Sequence, residues 1–178
     1  MASVQLRDGS LRDQVRFDLY DSLTMPATTS WRGIQSFFSN ANGKTIAESN
    51  MKLNGTLENQ VSFLIQGISL DAMVYASGLD AVVAEIIDYS ALVLTIGDKD
   101  YYRGPARHVA GKIRTYNPVI AQLGSHRDSI YKLHGEDAIP VPSVQTFALK
   151  LHVETDVQAS AKIKFVGTLR GLMRRPAQ

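Results

Sequence analysis

Two alternating segments close the chain, and they restrict what it can fold into more than any other feature. Residues 143–154 read SVQTFALKLHVE and residues 161–175 read AKIKFVGTLRGLMRR, with six residues between them. In the first, Phe147, Leu149, Leu151 and Val153 share one side, while Thr146, Lys150, His152 and Glu154 share the other. In the second, Ala161, Ile163, Phe165, Leu169 and Met173 face one way, and Lys162, Lys164, Thr168, Arg170 and Arg174 face the other. A period of two belongs to strands, whose successive side chains leave on opposite faces. One apolar and one polar face predict antiparallel sheet that is wetted on one side only. The chain is therefore expected to finish inside a β-sandwich or barrel.

At 178 residues a single domain of this kind buries about 70% of its unfolded surface. The expected organisation is an amino-terminal arm over residues 1–14 and one domain over 15–178. The chain has no cysteine, so disulfides, thiolate metal sites and a cysteine nucleophile are excluded. A net charge of +2 is too small to imply nucleic-acid binding by itself. The cations are uneven, however: residues 161–178 carry five Lys or Arg and no Asp or Glu. The amino terminus lacks the apolar stretch of a secretory signal, and no run has the roughly 18 apolar residues of a spanning helix. Synthesis in the cytosol, without export by that route, is the expectation.

Residues 15–25 alternate as an edge strand that Pro26 terminates. Residues 27–44 read as a loop carrying Trp31, Phe37 and Phe38, aromatics that either pin the loop to the body or meet a partner. A short strand is expected at 45–53. Residues 60–76 make a long strand whose apolar phase changes at Gly67, which suits a bulge. Leu79, Val82, Val83, Ile86 and Ile87 follow helical spacing and predict one helix over 78–88, with Ser77 as its cap. Residues 90–97 read as a buried strand, with a Gly97–Asp98 turn leading to a partner at 99–103. Strands near 107–115 and 127–133 follow. The sum is an all-β, antiparallel single jelly roll of about eight strands, with one short helix and long loops.

Residues for chemistry are sparse. His108, His126, His134 and His152 are not spaced as metal ligands on neighbouring strands. Asp98 and Asp100 flank a turn without the remaining ligands of a calcium loop. Ser125, His126 and Asp128 hold the letters of a hydrolase triad but lack the nucleophile elbow. No catalytic, cofactor or metal residue is assigned, and the chain is read as a non-enzyme with no small-molecule substrate. Lys162, Lys164, Arg170, Arg174 and Arg175 are the candidates for contact with phosphate or lipid headgroups; the alternative is a solvated polar face with lysine guarding an edge. Trp31, Tyr101 and Tyr102 are candidates for stacking on sugar rings, which keeps a lectin-like or receptor-binding jelly roll in view.

Several stretches together resemble a known family. They are LTMPATTS, FFSNANGKTIAESNMKLNG, VSFLIQGISL, IPVPSVQTFALKLHVE and KFVGTLRGLMRRPAQ. They are similar to the single-jelly-roll capsid proteins of tailless, icosahedral, often membrane-containing bacteriophages, over roughly residues 19–75 and 139–178. The resemblance implies a virion shell subunit whose partners are copies of itself in capsomers, other capsid or vertex proteins, and an internal membrane or the genome.

Overall fold

The computed structural model describes residues 2–5, 11–40, 43–74, 76, 78–117, 122–125, 131–133 and 135–176. In chain order the elements are β1 (Ala2–Gln5), β2 (Leu11–Met25), β3 (Trp31–Phe37), β4 (Ser62–Val74), α1 (Asp80–Asp88), β5 (Ser90–Ile96) and β6 (Lys99–Pro105). They continue with β7 (Ala110–Asn117), β8 (Gln122–Ser125), β9 (Tyr131–Lys132), β10 (Ile139–Val141), β11 (Phe147–Val157) and β12 (Ile163–Pro176).

Alternation builds two sheets. The larger has β2, β12 and β4 as its spine, and β12 runs antiparallel to both neighbours. The smaller is ordered β3-β11-β5-β6 and is antiparallel throughout. The outer edge of β4 holds two short antiparallel segments, β9 and β10, which occupy one strand position in succession. Read in this way, β2-β12-β4-β9/β10 faces β3-β11-β5-β6, the strand order of a jelly roll. The expected all-β sandwich is thus observed, with one departure from antiparallel pairing. β7 lies parallel to β4 beside residues 70–74. It follows the short helical turn Ala106–His108, and the Leu70 N–H donates to the Val109 carbonyl at 3.0 Å. A parallel pair needs a long crossover, and α1, β5 and β6 supply it.

The inward faces are those that the alternation marks. Phe147, Leu149, Leu151 and Val153 from β11 meet Ile163, Phe165 and Leu169 from β12, all buried. Trp31 stacks on Phe165 with centroids 5.1 Å apart and planes 23° apart. Helix α1 buries Val83, Ile86 and Ile87 against β5, β7 and β11. It starts at Asp80 with Leu79 at the cap, and no side chain caps it; Ser77 lies outside the described residues.

The phase change in β4 is a bulge. Arg170 pairs with Gly67 and Gly171 with Ile65, so Gln66 is the extra residue. Gln66 is exposed, while Phe63 and Ile65 on one side of it and Ile68 and Leu70 on the other are all buried. Across the bulge, a Cβ on Gly171 would lie 1.9 Å from the Leu64 carbonyl oxygen. Backbone cannot yield as a side-chain tip can. Gly171→Ala is therefore expected to lower stability by about 1–3 kcal/mol, read as a shift of the urea midpoint.

Three expectations about local structure are corrected. Residues 31–37 form a strand and not a loop. Residues 45–53 do not form a strand: they carry turns and the isolated bridge Asp21↔Ser49. There the Asn50 side chain replaces a ladder, since Oδ1 accepts the Tyr20 N–H at 2.9 Å and Nδ2 donates to the Asp18 carbonyl at 2.7 Å. The arm is also partly sheet, because β2 begins at Leu11 and pairs with β1.

Candidate interaction surfaces

Trp31, Phe37 and Phe38 do not form an exposed contact. All three are buried: Trp31 stacks on Phe165, Phe37 lies opposite the inward Leu149, and a polar knot holds Phe38. Phe38 adopts a left-handed conformation with φ 67°. Its N–H donates to Asp21 Oδ2 at 2.6 Å, and its ring lies 5.5 Å from that of Phe147. Asp21 is fully buried on the inward face of β2. Lys44 Nζ donates to its two oxygens at 2.8 and 2.9 Å and to the Ser22 carbonyl at 2.8 Å. A buried carboxylate persists only when paired and hydrogen-bonded, and here it accepts three hydrogen bonds from two donor atoms. The signal was present in the sequence: Val15, Phe17, Leu19, Asp21, Leu23 and Met25 alternate on one face, with an aspartate among apolar residues.

The five cations near the carboxy terminus do not form one stripe. Lys162 is exposed and precedes β12. Lys164, Arg170 and Arg174 occupy the outward phase of β12, whereas Arg175 occupies the inward phase. The Lys164 ammonium reaches the Ala47 carbonyl at 3.5 Å, and Arg170 Nε stands 3.4 Å from the Asp18 carboxylate. Arg16 and Lys132, which were not singled out from the sequence, join Arg170 and Asp18 around a shallow outer groove. One of its three cations is therefore already paired. Arg175 instead borders an apolar groove with Phe17, Met51, Leu53 and Met173. The Nε atoms of Arg174 and Arg175 are buried without a partner among the described residues.

That apolar groove follows from unequal strand lengths. β2, β12 and β4 have 15, 14 and 13 residues, against seven each in β3, β5 and β6. At about 3.4 Å per residue, β2 spans about 50 Å and the shorter strands about 24 Å. The larger sheet overhangs its partner. Its inward face there is covered only in part by residues 51–61, which leaves Phe17 38% and Leu53 45% exposed. Beyond it, β1 extends the overhang as a further strand.

The remaining polar candidates do not converge among the described residues. His108 is exposed, and His152 sits on the outer face of β11 between Ile34 and Ala91. His126, His134 and Asp128 lie outside the described residues, and Ser125 ends β8. Asp100 accepts the Thr95 hydroxyl at 3.0 Å across the β5–β6 hairpin. Glu48 accepts the Thr45 N–H at 3.0 Å and its hydroxyl at 3.1 Å, and the N–H bond chiefly lowers the Glu48 pKa. No group of three or more metal-ligating side chains occurs among the described residues. Tyr101 and Tyr102 lie apart from Trp31, on a cleft beside β9 and β10. No protein-family model, curated protein or solved structure matches the chain.

Proposed function

We propose that the protein is a structural subunit that assembles with copies of itself into an icosahedral virion shell. The overhanging ribbon of β1, β2 and β12 is the observation that carries this reading. It projects a half-exposed apolar face, with Phe17 and Met173, beside a strand edge on a disulfide-free sandwich. Apolar patches rimmed by polar residues favour association, and a strand edge offers backbone donors and acceptors to a neighbour. In a symmetric shell each contact needs little energy, since many identical contacts add. The partners in this reading are further copies in capsomers and other capsid or vertex proteins. An internal membrane or the genome would meet the outward cations Lys164, Arg170 and Arg174. The protein's work is done by surfaces and not by a reaction.

Electron microscopy and analytical ultracentrifugation of the purified chain test the proposal. Rings, sheets or shells are expected as concentration rises. Phe17→Asp is expected to raise the concentration needed for assembly by about tenfold, compared below the thermal midpoint of the variant, which falls because most of this ring is packed. A protein that stays monomeric at every concentration and salt level would sink the reading.

A further inference from the structure

The two sheets part along the side where β6 meets β9 and β10. A cleft of about 580 Å³ opens there, bordered by Tyr101, Tyr102, Tyr131, Lys132, Asp137 and Ile139. Its volume falls in the range of small-molecule sites. Local irregularity builds it. The ladder between β5 and β6 shifts register between Leu94 and Thr95, so Tyr101 is an extra residue without a partner on β5. Tyr101 is left 45% exposed. Tyr102 packs on Tyr131, with centroids 5.0 Å apart and planes at 59°. Its phenol lies over Gly104, where a Cβ would come within 2.8 Å of Oη. Tyr131, from the opposite sheet, keeps 38% of its surface exposed. Buried Ile139 contributes to the lining.

The chemistry of this lining is selective. Tyrosine faces supply rigid apolar contact at low entropic cost. Asp137 accepts hydrogen bonds only, and Lys132 donates only. Among the described lining residues these two opposite charges leave the cleft with no net formal charge. It suits a neutral molecule that has apolar ring faces and hydroxyl edges. We propose that the cleft binds a neutral saccharide, one sugar ring lying against Tyr101 or Tyr131 while its hydroxyls donate to Asp137 and accept from Lys132. Proline-rich peptides also choose aromatic grooves. Their proline units bring carbonyl acceptors without N–H donors, however, and a carboxylate repels those. Burial, with Tyr131 adding to it, pushes the Tyr102 phenol pKa up.

This inference is independent of the shell reading, because a monomer could carry the same cleft. The test is an NMR titration of the full chain, labelled at tyrosine, with maltotriose, cellotriose, mannotriose and a galactose oligomer. At least one sugar is expected to move the Tyr101 and Tyr131 ring resonances saturably. Tyr101→Ala and Asp137→Asn, both at exposed positions, are each expected to weaken binding by about tenfold with thermal unfolding unchanged. The proposal is overturned if no ring resonance moves at millimolar sugar, or if binding survives both substitutions. It is equally overturned if a proline-rich peptide saturates the cleft where every sugar fails.

Discussion

Phe37→Ala is expected to cost about 3–5 kcal/mol of folding stability, measured by urea unfolding with the slope unchanged. The ring is fully buried between the sheets. Opposite it stands Gly167, where a Cβ would lie 3.0 Å from Cγ of the ring and 3.0 Å from Leu149 Cδ2. A glycine has no side chain to relax into the space that a missing ring leaves, so the cavity stays open. Gly167→Ala alone is expected to destabilise by crowding that ring, and to be better tolerated in the Phe37→Ala background. A double-mutant cycle should read a coupling of about 0.5–3 kcal/mol. A Phe37→Ala loss under about 1 kcal/mol, small for any core phenylalanine, would restore the ring to a surface role.

Lys44→Met is expected to cost about 3–5 kcal/mol, because it leaves the Asp21 carboxylate buried with the Phe38 N–H as its remaining donor among those described above. Asp21→Ala falls toward the lower end, about 3 kcal/mol. It orphans the Phe38 N–H, but the Lys44 side chain is 20% exposed and can turn its charge to water. The pair Asp21→Leu with Lys44→Met should lose less than Lys44→Met alone, since removing both charges removes most of the desolvation cost. Equal losses in all three variants would show that packing of residues 38–44, and not the ion pair, holds this loop to β2.

What could be read before folding was local. β11 and β12 announce themselves because each inward residue is two positions from the next. The bulge near Gly67 was visible because one extra residue moves every later side chain to the other face. Helix α1 was visible in its 3.6-residue spacing. β3 escaped because Gly33 and Gln35 occupy its inward phase between Trp31 and Phe37, so its alternation is broken. The 45–53 expectation failed because Asn50 satisfies β2 with a side chain, which strand periodicity does not record. Parity alone separates Arg174 from Arg175, yet only the overhang explains why Arg175 borders an apolar groove. Tyr101 and Tyr102 stood out as aromatics in the sequence. Tyr131 and Asp137 did not, since they belong to the opposite edge and meet the tyrosines only across the sandwich.

The amino-acid order by itself decided which side of each strong strand is dry, where the helix falls, and that the body is β. Those are properties of neighbours two to four positions apart, set by backbone geometry. Tertiary structure alone decided the jelly-roll order, the parallel placement of β7, the buried Asp21–Lys44 pair and the tyrosine cleft. Each of these depends on contacts between distant segments, which hydrophobic burial rewards without regard to sequence separation.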